Sequence, residues 1–420
     1  MSQSSYDVVI VGTGPGGSVA AAMLAKAGLS VLAIEKEPFP RFHIGESLTG
    51  TAGLIIRELG LADDMERLDF PDKPGVTVIG SGAESEFFVP VLNPTWQVRR
   101  SSFDRALRDR AAALGARIVG GTVTAVARDD EGKITEVEYL PRGGSSVCKA
   151  RGSAVIDASG QSVFLSSKNV AGPRKIDSFG RQIAFFSHFE GVRRDRGAFG
   201  NNTTIFYSHV NHWAWVIPIS PTVDSLGIVM PVDTYRDHGR SPEAALQWGL
   251  ANINPELTNR FASSRRVEQV RACRDYSYSI EPFVGPNWLC VGDAHRFVDP
   301  IFSYGVSFAM TEARRASDVI VKWIDEGISQ ALLEREYASW SNPGQMVARD
   351  LISYFWRFPA FFQYRTQHAD TRRELIQLLG GECFETEGLR TPRAFREALE
   401  RAESATAQEP ATPRELSHGA

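Results

Sequence analysis

The sequence has few cysteines, little net charge and no long apolar run. Its four cysteines (Cys148, Cys273, Cys290 and Cys383) are scattered without CxxC spacing. This pattern indicates neither a disulfide framework nor a zinc site, and we expect no metal. The net charge is only −4 over 420 residues, which does not indicate a nucleic-acid-binding surface. No apolar run approaches the length of a membrane span, so we expect no integral membrane segment.

The N-terminus leaves no room for a signal peptide, because an apolar β-type run begins after only a few residues. Hydrophobic residues make up 43% of the chain and charged residues 23%, enough to bury a large core in more than one lobe. We therefore expect a cytoplasmic protein of enzyme size.

A strand–turn–helix pattern opens the chain. An apolar run leads into a triplet formed by Gly12, Gly14 and Gly17, and an Ala-rich segment follows. A second apolar run then ends in Glu35. The glycines allow a tight turn and close backbone approach, and the helix N-terminus faces a pyrophosphate. Glu35 stands where such folds place the carboxylate that accepts ribose hydroxyls, so the pattern predicts a dinucleotide site.

Two later segments favour FAD over NAD. One predicted strand ends in Asp157-x-x-Gly160, and another ends in Gly292-Asp293. An acid at the carboxyl end of a parallel strand reaches the ligand crevice, which places Asp293 beside a ribityl hydroxyl. The alternative is that Asp157 and Asp293 are ordinary strand-end turn residues. After Pro300 a helix begins near Gly305, and its N-terminus can face the flavin pyrimidine.

These motifs together resemble the glutathione-reductase-type FAD fold of single-component aromatic hydroxylases and their relatives. The run Phe39-Pro-Arg-Phe-His-Ile-Gly-Glu-Ser-Leu48 is similar to a segment shared by flavin-dependent halogenases and geranylgeranyl-reductase-like enzymes. The resemblance implies that Arg41 and Ser47 line the flavin and that Arg100 contacts the cofactor. A capped loop and a surface charge at a helix start are the alternatives.

The resemblance implies an α/β protein in which a Rossmann-like FAD-binding domain is interleaved with a mixed-sheet substrate domain, followed by a helical C-terminal segment. Alternating patterns between the FAD pieces support the strands of the second lobe. The expected boundaries are residues 1–70, 97–165 and 270–330 for the FAD-binding domain, 71–96 and 166–269 for the substrate domain, 331–405 for the helical segment, and 406–420 for a disordered tail.

A second motif narrows the family. The run His212-Trp-Ala-Trp-Val-Ile-Pro218 places Trp213 and Trp215 on one side of a strand. It matches the Trp-x-Trp-x-Ile-Pro signature of flavin-dependent halogenases, in which bulky side chains keep organic substrate away from the flavin. Indoles on a strand that simply belong to the core are the alternative.

Lys73 lies just before a predicted strand at the start of the second lobe. It coincides with the lysine that halogenases place at the end of a channel from the flavin, where an amine can hydrogen-bond hypohalous acid or form a haloamine. A lysine suits this role because it donates three hydrogen bonds and its pKa falls on burial. A solvated lysine beside a turn is the alternative.

Successive backbone amides at the start of the last helix form a natural anion site. The resemblance maps the halide contacts onto Tyr304 and Gly305, and includes Val306 with Pro300 among the cofactor residues. Tyr304 replaces the usual small hydroxyl residue, and its ring could shrink a halide pocket. Phe302 stands where tryptophan halogenases have a glutamate, which argues against free tryptophan as substrate.

The resemblance therefore implies an FADH2-dependent halogenase of the phenol, pyrrole and carrier-tethered type. It would form hypohalous acid from a flavin C4a-hydroperoxide and chloride or bromide, and transfer halogen to an electron-rich aromatic ring that is free or tethered to a carrier protein. A separate flavin reductase is expected, since no second nucleotide motif is present. Two alternatives stay open: a flavin monooxygenase or geranylgeranyl-reductase-like enzyme, and a non-catalytic flavin-binding redox subunit.

Overall fold

The computed structural model describes residues 4–81, 86–177, 181–238, 241–274 and 277–408. The strands in chain order are β1 (Ser4–Val11), β2 (Val31–Glu35), β3 (Gly75–Ile79), β4 (Glu86–Pro90), β5 (Arg117–Arg128), β6 (Ile134–Pro141), β7 (Cys148–Asp157), β8 (Arg174–Ile176), β9 (Gln182–Glu190), β10 (Thr203–His209), β11 (His212–Pro218), β12 (Val223–Pro231), β13 (Arg265–Arg266), β14 (Arg271–Arg274), β15 (Tyr278–Ile280), β16 (Trp288–Cys290) and β17 (Arg296–Phe297).

The helices are concentrated around the first sheet and in the C-terminal third. They are α1 (Pro15–Lys26), α2 (Gly50–Glu58), α3 (Ala62–Arg67), α4 (Arg100–Ala113), α5 (Phe164–Ser167), α6 (Val232–His238), α7 (Pro242–Asn252), α8 (Pro255–Phe261), α9 (Tyr304–Trp323), α10 (Gln330–Leu333), α11 (Ser339–Arg357), α12 (Pro359–Gln367), α13 (Ala369–Leu379) and α14 (Thr391–Gln408).

The first sheet is of the Rossmann type and is parallel except for one strand. β1 lies between β2 and β7 and is parallel to both, β5 adds beyond β2, and β16 adds beyond β7. The antiparallel strand β6 joins β5 to β7. Helices α4 and α9 both pack on α1. Parallel strands covered by helices bury both faces, which explains the unbroken apolar runs of β1 and β2.

The second sheet is mixed, as the resemblance implied. Its order is β13-β9-β12-β11-β10-β3-β4, with β14 also pairing with β9. β10 and β3 run parallel, whereas the other pairs are antiparallel. One face carries Trp213, Trp215 and Ile217 into a core shared with the C-terminal helices. The other face packs on α7 and α8 through residues such as Phe185 and Leu246.

The C-terminal helices complete the second core. Phe362 of α12 is fully buried, and its ring lies 6.0 Å from that of Phe87 and 5.8 Å from that of Phe302. α14 extends to Gln408, and the disordered tail expected at residues 406–420 stays a prediction. Alanines at positions 402, 405 and 407 favour continuing the helix there. Residues 409–420 lie outside the described residues.

Replacing Phe362 by alanine should lower the free energy of unfolding by about 3–5 kcal/mol, because a large ring at the meeting point of two elements would leave a cavity. Its neighbour Phe361 is 65% exposed, so Phe361→Ala should change stability by less than about 0.5 kcal/mol. Urea denaturation of both variants measures the difference. Equal losses would show that α12 does not anchor through Phe362.

Candidate active site

The glycine loop after β1 is shaped for close approach of a ligand. Gly12 has φ +95°, and a Cβ there would lie 2.6 Å from the carbonyl oxygen of Ala158. A Cβ on Gly17 would lie 2.0 Å from the carbonyl oxygen of Gly12. α1 begins at Pro15 without a side-chain cap from Gly14. Its first amides therefore remain available to a pyrophosphate.

Glu35 is held at the edge of this loop. One carboxylate oxygen accepts hydrogen bonds from the Thr13 backbone amide at 2.7 Å and from its hydroxyl at 3.0 Å. The other accepts from the Glu37 amide at 2.9 Å. The side chain is buried and fixed at the carboxyl end of β2, the position from which a carboxylate reaches ribose hydroxyls.

One carboxylate, Asp104, organises the two predicted arginines. Arg100 donates to both Asp104 oxygens, at 2.7 and 2.9 Å, and also to the carbonyls of Ile44 and Gly45. Arg41 lies 3.4 Å from the same carboxylate. A Cβ on Gly14 would lie 3.5 Å from Arg41 Nη2. Arg41 is therefore the arginine placed at the glycine loop, whereas Arg100 is engaged in holding the loop at residues 44–45.

The Gly292-Asp293 turn is fixed by a buried network. The Gly292 amide donates to Glu312 at 2.7 Å, and His295 lies 2.9 Å from the other Glu312 oxygen. Ser341 and Gln345 of α11 donate to that same oxygen. Burial acts to raise the pKa of Glu312, but the charge of His295 and these hydrogen bonds together lower it.

Asp293 is the second residue of this turn and is the residue expected to reach a ribityl hydroxyl. Burial raises its pKa to about 7, although the positive charge of Arg100 acts in the opposite direction. Near neutral pH its carboxyl group can therefore either donate or accept a hydrogen bond. A neutral hydroxyl donor such as a sugar alcohol suits such a group.

The segment from Phe39 to Leu48 touches the second sheet. Ser47 Oγ lies 2.7 Å from Thr203 Oγ1, and Glu46 lies 2.8 Å from His188 Nε2. The second Glu46 oxygen, Oε2, is buried and has no hydrogen-bond partner among the described residues. A buried carboxylate oxygen without a donor is unfavourable, and a polar ligand bound here would supply one.

The start of α9 has no side-chain cap, so its first backbone amides lack a side-chain acceptor. Asp299 caps the preceding turn by accepting from the Ile301 amide at 3.0 Å. Ser303 then adopts a left-handed conformation with φ +63° and provides no side-chain cap to α9. A Cβ on Gly305 would meet nothing within 4 Å. The open space and uncapped amides fit both a halide and a flavin edge.

The ring of Tyr304 is fully buried in the helical core. Its hydroxyl donates to the Leu378 carbonyl at 3.0 Å, and its ring stacks on Phe308 with centroids 4.8 Å apart. Burial raises the pKa of the Tyr304 hydroxyl, which keeps it a neutral donor. Ser307 accepts a hydrogen bond from Thr49 at 2.7 Å.

Lys73 lies at an apolar cleft. It is 3% exposed, and its Nζ donates to the Leu48 carbonyl at 2.9 Å. Burial lowers its pKa to about 7. The cleft has about 20 Å³ of space at the size of a water molecule, which is room for about one water. It is lined by Lys73, Val76, Val78, Phe87, Val89, Pro90, Val91, Phe302, Leu379 and Gly380.

The two indoles lie side by side on β11, with centroids 5.8 Å apart and planes tilted by 50°. The ring of Trp215 fills the space over Gly227, where a Cβ would lie 2.0 Å from it. Phe186 lies 6.1 Å from Trp215 and stacks on Phe42 at 6.0 Å. The indoles thus connect the Phe39–Leu48 segment to the core that contains Phe302.

Several supporting residues were missed by the sequence analysis. Asp104 follows Arg100 by four positions on a helix, a spacing that does indicate an ion pair. The contact of Glu46 with His188 joins residues 142 positions apart. The bond from Tyr304 to Leu378 spans 74 positions. No local spacing predicts either of these two contacts.

Comparison with known proteins identifies the family. The sequence model described as Tryptophan halogenase matches residues 7–86 and 80–372. The chain is 53% identical to the 1H-pyrrole-2-carbonyl-[peptidyl-carrier protein] brominase of Pseudoalteromonas luteoviolacea, over 94% of this chain and 97% of that protein. It is 30% identical to the corresponding chlorinase of Pseudomonas fluorescens, over 96% and 95%.

Solved structures agree with the sequence matches. A flavin-dependent brominase superposes with a TM-score of 0.93 at 51% identity, covering 96% of this chain and all of that one. The myxobacterial chondrochloren halogenase superposes with a TM-score of 0.74 at 26% identity, over 97% and 91%. Within the described residues, no helix combines the length and apolarity needed to span a bilayer. The chain therefore belongs to the flavin-dependent halogenases, FAD-dependent enzymes that use halide and reduced flavin from a separate reductase.

Proposed function

We propose that this enzyme brominates a pyrrole ring held as a carrier-protein thioester. The brominase from Pseudoalteromonas luteoviolacea, which shares 53% identity along nearly its whole length, acts on such a substrate. The observation that carries the proposal is the buried amine of Lys73 in an apolar cleft that also includes Phe302. Phe302 directly precedes the turn with the bare amides of α9. The lining of this cleft is mostly apolar, as a site for a neutral aromatic ring requires.

Binding of FAD is assigned to the residues around the first sheet. Gly12, Gly14 and Gly17 allow the pyrophosphate to approach α1, and Arg41 adds positive charge beside them. Glu35 holds the ribose. Bound reduced FAD supplies, with molecular oxygen, the two-electron oxidation that turns halide into an electrophile.

The other end of the cofactor is assigned to residues of both sheets. Asp293 hydrogen-bonds the ribityl chain, while Arg100 and Ser47 hold the loop that faces it. Pro300 sets the turn before α9, and Val306 lies 3.3 Å from the position of a Cβ on Gly45. The amides of Tyr304 and Gly305 hold the halide.

The enzyme is assigned to the cytoplasm. Its four cysteines are reduced thiols, as is usual for proteins of this reducing compartment.

Lys73 is assigned to halogen transfer. With its pKa lowered to about 7 by burial, a large share of the side chain is the neutral amine at neutral pH. The neutral amine can accept bromine from hypobromous acid, which forms an N–Br bond and releases water. The pyrrole carbon then takes the bromine as its ring proton leaves, and the amine is restored. Trp213 and Trp215 fill the space through which an organic molecule would otherwise reach the flavin.

Wild-type enzyme given reduced FAD, oxygen and bromide should brominate a pyrrole-2-carboxyl thioester on a peptidyl carrier domain, detected by the bromine isotope pattern in mass spectrometry. Lys73→Ala should keep FAD binding and the rate of FADH2 reoxidation but lose bromination by at least about 100-fold. Lys175→Ala, at an exposed lysine, is the control and should match wild type. Bromination by Lys73→Ala at the wild-type rate would contradict the role of the amine.

The lowered pKa of Lys73 also makes stability depend on pH. Between about pH 7 and pH 10.5 the unfolded chain holds a proton at this lysine that the folded chain has lost, so this contribution to stability rises with pH. The unfolding free energy of wild type minus that of Lys73→Met should therefore become more positive from pH 7 to pH 9.5 and stay constant below pH 6. Urea denaturation at each pH measures it. A constant difference would mean that the folded amine stays protonated.

Crystals grown with bromide and FAD should show anomalous scattering within hydrogen-bonding distance of the Tyr304 and Gly305 amides. Backbone amides at an uncapped helix start favour an anion. The control is Gly305→Ala, whose added methyl group enters the open space beside these amides and should reduce bromide occupancy. Bromide bound only at other places would contradict the assignment.

A further inference from the structure

The short helix α12 has one buried and one exposed aromatic face. Phe362 and Thr366 are buried, whereas Phe361 is 65% exposed and Tyr364 is 56% exposed. The exposed rings follow directly after the aromatic end of α11, a run too rich in aromatic residues for an ordinary surface helix. The halogenation chemistry derived above uses neither Phe361 nor Tyr364.

The buried face of α12 forms the outer support of the Lys73 cleft. The ring of Phe362 lies 6.0 Å from that of Phe87 and 5.8 Å from that of Phe302, and both of these partner rings line the cleft. α13, which follows at once, ends at two further lining residues, Leu379 and Gly380. Because a helix with its side chains is about 10 Å across, the exposed rings lie roughly one helix diameter from the cleft wall.

The same region carries local positive charge in a negatively charged protein. Residues 357–374 contain four arginines and two acids, against a net charge of −4 for the whole chain. Arg372 and Arg373 are exposed and form no ion pair within the part of the chain that is described. Helices α12 and α13 pack on each other, and exposed aromatic rings together with arginines are the composition typical of the centre of a protein–protein interface.

We propose that Phe361, Tyr364, Arg372 and Arg373, the α12–α13 face, form the docking surface for an acidic carrier domain. The proposal rests on the function proposed above, since the carrier domain would deliver its tethered pyrrole to the cleft on the inner side of the same helices. Charge complementarity selects an acidic partner and accelerates encounter, while the two rings supply the apolar contact.

A membrane fits this surface less well. Membrane-surface helices bury a continuous apolar face in lipid, but the large apolar ring at position 362 of α12 is already packed inside the protein. Two exposed rings and two arginines without an ion pair among the described residues form a small mixed patch, which fits a contact with a protein better than a contact with lipid.

Direct binding tests the surface separately from turnover. A fluorescently labelled acidic peptidyl carrier domain bearing the pyrrole thioester is titrated with FAD-loaded enzyme, and Kd is read from anisotropy. Arg372→Glu/Arg373→Glu and Phe361→Ser/Tyr364→Ser should each raise Kd at least tenfold. Phe199→Ser is the matched control, because this ring is 52% exposed and contacts Phe88, which does not line the cleft. It should leave Kd unchanged.

Steady-state bromination gives the second readout. The same variants should raise KM for the carrier-bound substrate at least tenfold, with kcat and the rate of FADH2 reoxidation unchanged. Added salt should weaken carrier binding by wild type more than carrier binding by the charge-reversal variant, because salt screens exposed charges. Loss of kcat or FADH2 reoxidation with an unchanged Kd would indicate a structural role and overturn the proposal.

The two proposals fail differently. If wild type and the variants bind the carrier domain equally, the docking surface is wrong even when bromination proceeds. If wild type binds the carrier domain through this face but adds no bromine, the proposed function is wrong and the surface stands. Binding of the α12–α13 face to anionic vesicles, with no change in carrier Kd in the variants, would also overturn the docking proposal.

Discussion

The buried amine of Lys73, which has one hydrogen-bond partner within the described part of the chain, is the constraint on which the candidate active site depends. Lys73 donates to the Leu48 carbonyl and is otherwise enclosed by apolar side chains. Enclosing an ammonium in this way is unfavourable, which is why burial lowers the lysine pKa. The walls around it come from β3, β4, the turn before α9 and the end of α13, so four separate parts of the chain must meet to enclose this one nitrogen.

The sequence predicted those features that depend on local spacing. The glycine triplet and Glu35 come together as expected, because a strand, a tight turn and a helix determine their positions within a few residues. The alternation along β11 likewise placed both indoles on one face. Alternation of apolar residues indicated strands in the second lobe, whereas the mixed sheet was implied by the resemblance to the family.

The features that the sequence did not predict depend on contacts between distant segments. Nothing near Glu46 indicates that His188 will be its partner, and nothing near Tyr304 indicates a carbonyl on α13. The sequence also did not show that Arg41 lies at the glycine loop while Arg100 holds residues 44–45. This difference depends on which of the two guanidinium groups contacts both oxygens of Asp104. Aromatic residues at positions 361 and 362 look equivalent in sequence, yet tertiary packing buries one and exposes the other.

Tyr304 connects the start of α9 with the end of α13. Its amide belongs to the uncapped turn assigned to halide, and its hydroxyl holds Leu378, next to the lining residues Leu379 and Gly380. The rigid ring of Tyr304 thus connects the turn at the start of α9 with the outer wall of the cleft. Any displacement of α13 away from the cleft must therefore either break this bond or pull on the turn at the start of α9.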